Sequence, residues 1–176
     1  RVEREPSGAP AVARDGVAFF GTGLDPIMVR SLPWLEGFTL DQEGAAFAPI
    51  PHMAEVARLL AEAQFSAPHQ YYQWHSVSLA RMELDRELEV TLTTGTRARF
   101  SATGNIFLQL AYLDAILERL GRNAGTRASI DLTLGREVPV AFETAAHPPR
   151  GAGAAGPRLH AVPLFPRSPS KSQREL

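Results

Sequence analysis

Alternation of apolar and polar residues predicts strands in the second half of the chain. Leu88, Val90 and Leu92 alternate with Glu89 and Thr91, which is the period of a strand with one buried face. This segment and less regular ones around it predict a sheet of five strands: 76–84, 87–93, 97–101, 128–134 and 137–142. The sheet is therefore expected to expose one polar face.

A helical period replaces the alternation between Asn105 and Leu120. Five apolar residues there share one stripe, which Gly121 ends: Ile106, Leu110, Leu113, Leu117 and Leu120. A second helix is predicted from Pro51 to near Gln64. Helices segregated from runs of strands indicate an α+β fold, with a mixed, mainly antiparallel sheet and the helices packed on one face.

The start of the chain is predicted to be ordered and its end disordered. AVARDGVAFF, residues 11–20, predicts a hairpin, because Asp15-Gly16 is a tight-turn pair between apolar segments. After Thr144 the chain has no period and is rich in Pro, Gly and Ser, so residues 147–176 are expected to form a disordered tail. LHAVPLFP, residues 159–166, is apolar enough for a short recognition peptide, although incidental apolar residues in a tail are the commoner case.

Composition narrows the classes of function. The chain has 176 residues, 44% of them hydrophobic, and a formal net charge of -1, so it lacks the basic surplus that non-specific nucleic-acid binding needs. No cysteine is present, which excludes disulfides, a thiolate nucleophile and a cysteine zinc site. No apolar run approaches the roughly 20 residues of a membrane span. The chain begins with Arg1 and shows no signal peptide, so it is interpreted as an excised or truncated piece, and any anchor would lie upstream.

Candidate chemistry is sparse. His69 and His75 stand six residues apart with aromatic residues between them, but the HExxH pattern is absent and ordinary surface histidines are expected. The carboxylates at 83–89 have strand spacing; a glycosidase pair is conceivable, but exposed strand charges are far commoner. We therefore expect no catalytic residue, no metal and no cofactor.

Six short motifs occur in one order along the chain. They are VEREP at 2–6, RDGVAFF at 14–20, LPWLEG at 32–37, LEVTLTTGTRARFS at 88–101, the amphipathic helix to Leu120, and IDLTLGREVPVAF at 130–142. Together they resemble the FtsQ/DivIB family of bacterial cell-division proteins, over about four fifths of the chain.

The resemblance implies an organisation and a function. Residues 1–10 would end a truncated POTRA domain, 11–146 would form the β domain, and 147–176 the disordered tail. The resemblance implies a non-enzymatic divisome scaffold that binds FtsB-like and FtsL-like partners and links early and late septation proteins. It implies a single-pass protein of the inner membrane with this part on the periplasmic side. Membrane attachment would come only through an upstream anchor absent from this chain.

The resemblance also implies a binding site at the last strand. A partner strand would add to the free edge between Val138 and Phe142, and Phe142 matches an aromatic anchor of the family. Leu134, Val138, Val140 and Phe142 are expected on one alternating face. Arg86 matches a basic residue that meets a partner carboxylate.

Pro139 bears on the same edge. A proline lacks the N–H of the other residues, so Pro139 is expected to blunt the edge and to remove one possible bond to a partner. Thr133 stands where the family has arginine, so a salt bridge from this position is not expected. Two other classes stay open from the residues themselves: a different extracytoplasmic scaffold or adhesin module, and a cell-wall hydrolase built on the carboxylates.

Overall fold

The computed structural model describes residues 10–20, 23–43, 46–121, 127–135, 137–143 and 159–161. Within them the strands are β1 (Ala11–Val12), β2 (Ala18–Phe19), β3 (Trp34–Glu36), β4 (Gln42–Glu43), β5 (Ala46–Phe47), β6 (Trp74–Ser78), β7 (Glu87–Leu92), β8 (Arg97–Ser101), β9 (Arg127–Asp131), β10 (Val140–Glu143) and β11 (Leu159–Ala161). The helices are α1 (Pro26–Arg30), α2 (Met53–Ser66), α3 (Pro68–Tyr71), α4 (Met82–Asp85) and α5 (Ile106–Leu120).

The strands form one large mixed sheet and one small pair. Six strands run side by side in the order β10-β9-β8-β7-β6-β3, and β11 continues the sheet from β3 to the β1–β2 hairpin. Strands β4 and β5 pair separately. Most neighbours are antiparallel, but β3–β6, β8–β9 and β1–β11 are parallel. The predicted α+β fold with a mixed, mainly antiparallel sheet is confirmed.

The core lies on one face of the sheet. Along β7 the side chains of Leu88, Val90 and Leu92 are buried, while Glu89 and Thr91 between them are half-buried. The buried side chains of the strands form one cluster with those of α2 and α5. The opposite face carries the polar residues, as the alternation predicts.

Polar contacts fix the start of α5 over β8. The Asn105 side chain caps the helix by accepting the Leu108 N–H at 3.1 Å. The amide of Gln109, which is buried, bonds the main chain of Ser101 twice: its Oε1 accepts the Ser101 N–H at 2.8 Å, and its Nε2 donates to the Ser101 carbonyl at 3.3 Å. The helix therefore starts at a defined point on the sheet.

The predicted strand 76–84 is wrong beyond Ser78. The N–H of Met82 donates to the Leu79 carbonyl at 2.9 Å, and Met82–Asp85 form the short helix α4. The segment has no strict alternation, and a single helical turn buries Met82. Arg86 then adopts a left-handed conformation with φ 56° and ends the helix.

The last two strands are shorter at their shared turn than the pattern predicts. The Oδ1 atom of Asp131 accepts both the N–H and the hydroxyl of Thr133, at 3.0 and 2.6 Å, which turns the chain out of β9. Gly135 has φ 71°, as the predicted glycine turn requires. The strands are therefore Arg127–Asp131 and Val140–Glu143 rather than 128–134 and 137–142.

The expected disordered tail, 147–176, contains a short strand. Leu159–Ala161 lie between β3 and β1 as β11, at the start of the apolar segment LHAVPLFP. Composition missed this strand because its partners on both sides are main-chain groups, which no side-chain pattern reveals. The rest of the tail and residues 1–9 of the predicted POTRA end lie outside the described residues.

Candidate functional site

Strand β10 lies at one end of the large sheet. It pairs antiparallel with β9, with Val140 opposite Ile130 and Phe142 opposite Ala128. Among the residues that the structure describes, no strand pairs with its other side. This is the edge position that was expected for the last ordered strand of the domain.

One hydrogen bond shows which main-chain groups of β10 face outward. The N–H of Asp131 donates to the Pro139 carbonyl at 3.0 Å, so Pro139 directs its main-chain polar groups toward β9. Hydrogen-bonded and non-bonded pairs alternate in an antiparallel ladder, so Ala141 also faces β9. The N–H and C=O groups of Val140 and Phe142 therefore point to the outer edge, where a further strand would bond them.

This geometry corrects the role expected of Pro139. The nitrogen of a strand residue points to the same side as its carbonyl, and the Pro139 carbonyl points to β9. The missing N–H therefore removes a bond within the sheet and none from the outer edge. Pro139 does not reduce the set of bonds open to a partner strand.

An apolar groove runs beside this edge. Its volume is about 550 Å³. Side chains from the second half of α5, from β10 and from the residues just before β10 line it: Tyr112, Ala115, Ile116, Arg119, Leu120, Val138, Val140 and Phe142. Val138 and Val140 are half-buried, whereas Phe142 is 57% exposed. The structure thus brings three of the five predicted binding residues together on one side of β10.

The groove exists because the apolar stripe of α5 is longer than the core beneath it. Leu110 and Leu113 are buried, while Leu117 and Leu120 near the end of the helix are only partly covered. From the sequence these last leucines look like core residues. The groove also uses Tyr112, which the helical stripe did not include.

Arg119 gives the groove a positive charge. Its guanidinium has no ion-pair partner among the described residues. Asp114 on the same helix is bound elsewhere, with its Oδ1 at 2.9 Å from His69 Nε2. That hydrogen bond lowers the pKa of Asp114, which therefore stays ionised beside α3. An anionic group on a ligand would find Arg119 available.

The other two predicted binding residues lie outside the groove. Leu134 is 62% exposed in the turn after β9 and does not line the groove, so its expected place on the alternating face is wrong. Arg86 directly precedes β7, and β7 itself lies three strand spacings, about 14 Å, from β10. Its Nη2 atom lies 3.7 Å from Glu55 Oε1 on α2.

Two of the carboxylates considered for catalysis, Asp85 and Glu87, share Arg81 as an ion-pair partner. Glu87 lies in a network with Arg81, at 3.0 Å, and Arg99, at 3.8 Å, on the polar face of the sheet. Within the described part of the chain, no group of three or more His, Cys, Asp or Glu residues is placed to hold a metal ion. The helices of that part also include none that is long and apolar enough to cross a membrane.

Comparison of the sequence with models of known protein families finds no match, and comparison with curated proteins finds none either. Function is therefore inferred from the motifs and from the geometry of the β10 edge.

Proposed function

We propose that this chain is a non-enzymatic scaffold of the bacterial division machinery that binds an FtsB-like or FtsL-like partner by strand addition at β10. The observation that carries the proposal is the coincidence of two features at one edge. The main-chain groups of Val140 and Phe142 point outward, and the apolar groove lies directly beside them.

Strand addition uses both features at once. A partner strand about 4.8 Å from β10 would bond the outward N–H and C=O groups, and these bonds supply affinity. Its alternate side chains would enter the groove and set the register, because a slip of one residue would turn the apolar side chains to the polar face.

The residues that line the groove indicate which side chains a partner strand would carry. Apolar residues at every second position fit the surface formed by Val138, Val140 and Phe142. A carboxylate near them would meet Arg119. Binding energy in such interfaces is concentrated in a few large side chains, and Phe142 is the largest exposed one here.

The assignment to cell division rests on the six motifs that resemble FtsQ/DivIB. With it come the proposed inner-membrane location through an upstream anchor, a periplasmic position for this part, and a role in linking early and late septation proteins. A different extracytoplasmic scaffold would use the same edge with an unrelated partner strand.

Two proline variants test the proposal by calorimetric titration with the periplasmic part of the FtsB-like protein from the same genome. Val140→Pro deletes an outward N–H, and we expect binding at least tenfold weaker, about 1.4 kcal/mol, with little loss of stability. Ala141→Pro is the matched control, since it deletes an N–H that faces β9 and is expected to lower the melting temperature.

The proposed binding site and the assignment to the division machinery are contradicted by different results. Wild-type affinity of Val140→Pro would place the partner elsewhere on the domain. No binding of the FtsB-like segment to the wild-type chain, under conditions where the chain is folded, would contradict the assignment to the division machinery.

A further inference from the structure

The large sheet has a gap that a single three-residue strand closes. β11 pairs antiparallel with β3, with Leu159 opposite Leu35 and His160 opposite Trp34. On its other side β11 pairs parallel with β1, with His160 opposite Ala11. Strands β3 and β1 are not neighbours in the sheet, so β11 is the only strand that joins them among the described residues.

Each wall of this gap is held in place by contacts other than β11. Strand β3 pairs along its opposite side with β6. The β1–β2 hairpin is bound at its turn, where the N–H of Ile50 donates to the Gly16 carbonyl at 3.0 Å. Gly16 has φ 89°, and a side chain there would collide with the Ile50 main chain. Val12 of β1 and Leu35 of β3 also belong to the same buried core.

The dimensions of the gap define what fits in it. Its walls are two strand spacings apart, about 9.6 Å, which admits one extended chain. An α-helix with its side chains is about 10–12 Å wide and also lacks free main-chain groups for the two walls. The fitting ligand is an extended peptide of at least three residues that runs antiparallel to β3.

The chain itself can reach the gap. β11 lies six strand spacings from β10, or about 29 Å. The 15 residues numbered 144–158 separate the two strands in sequence, and a chain of that length spans up to about 53 Å. A tethered segment acts at an effective concentration near the millimolar range, which favours the segment of the same chain over one from a second copy.

We propose that the gap between β3 and β1 is a second peptide-binding site, separate from the β10 edge, which Leu159–Ala161 occupy in the resting chain and can leave. Three residues supply few main-chain bonds, so β11 opens more easily than strands such as β7 that lie in the centre of the sheet. An open site accepts an extended peptide supplied from outside the chain.

Hydrogen exchange on the full-length chain tests this site. His160→Pro deletes the central N–H of β11, and His160→Ala is the matched control that keeps it. We expect His160→Pro to raise exchange at least tenfold at the main-chain amides of Val12 and Leu35, which face β11, with Leu88–Leu92 unchanged. His160→Ala is expected to exchange as the wild type does.

A peptide supplies the second measurement. The synthetic peptide GPRLHAVPL, which reproduces residues 156–164, is expected to restore protection of both walls in the His160→Pro chain. The same peptide with proline in place of its histidine is the negative control. Binding to the wild-type chain is expected to be at least tenfold weaker, because its own segment fills the site.

Three results would overturn the proposal. The first is equal binding of the peptide to the wild type and to His160→Pro, and the second is no protection of the walls in the variant. The third is a rise in exchange at Leu88–Leu92 as large as that at the walls, since the walls would then not stand without β11. Variants of the β10 edge affect none of these measurements, so the two sites are tested independently.

Discussion

Phe100 and Phe142 point to the same face of the sheet, but one is covered and the other is not. Both point to the face that carries the helices, and both follow an alternating pattern. Phe100 on β8 is completely buried beneath α5, whereas Phe142 on β10 is 57% exposed beside the groove. An alternating pattern thus specifies which face a side chain points to, and the position of the strand in the sheet decides whether anything covers it.

The largest expected loss of stability comes from placing a charge in the buried core. Leu113 is completely buried on the α5 face that packs on the sheet. Leu113→Asp places an unpaired charge there and is expected to remove roughly 4 kcal/mol or more of stability, enough to unfold the domain. Ala111→Asp on the exposed side of the same helix is the control. An unchanged thermal melting curve for Leu113→Asp would show that the core is elsewhere.

The two phenylalanines give a direct comparison of stability. Phe100→Ala is expected to cost about 3–5 kcal/mol in chemical denaturation, because it leaves a cavity in the packed core. Phe142→Ala is expected to cost less than about 1 kcal/mol, because much of the ring is already in water. Similar losses for the two variants would mean that β10 is covered in solution and is not a free edge.

Phe142 is expected to matter more for partner binding than for stability. Phe142→Ala is expected to weaken association with the FtsB-like segment by about 2 kcal/mol, roughly thirtyfold, as an anchor side chain does. The affinity is measured by calorimetric titration of the folded variant. Wild-type affinity would show that the groove contributes no anchor.

Charge reversal at Arg119 and at Arg86 is expected to change the binding affinity by smaller amounts. Arg119→Glu, in the groove, is expected to weaken binding of an acidic partner by about 0.5–1 kcal/mol at low salt, with a smaller effect at high salt. Arg86→Glu should change the affinity less, because Arg86 lies beside Glu55 and precedes β7, which is three strand spacings from β10. A larger effect at Arg86 would restore the role that the family resemblance gave it and move the binding surface toward α2.

Local periodicity accounts for the part of the fold that could be predicted. The stripe of α5 and the alternation of β7 depend on which residues share a face, and both are correct in the structure. The free edge at Val138–Phe142 was expected from the family resemblance and not from periodicity. The predicted strand 76–84 failed beyond Ser78, where no strict alternation supported it.

The groove and β11 depend on information that periodicity does not carry. Leu120 belongs to the same stripe as Leu113, and only the width of the sheet beneath α5 determines which of them is covered. The direction of the Pro139 carbonyl depends on the phase of the ladder between β9 and β10. The pairing of β11 depends on a gap between strands that are distant in sequence.

Amide hydrogen exchange resolved by residue tests the central claim at β10 most directly. In the free chain, the outward amides of Val140 and Phe142 are predicted to exchange quickly, and those of Ala141 and Glu143, which face β9, slowly. Saturation with the FtsB-like segment is predicted to protect Val140 and Phe142 and to leave the inward pair unchanged. If the segment binds and the outward amides remain unprotected, or if they are already protected in the free chain, β10 is not the strand that receives the partner.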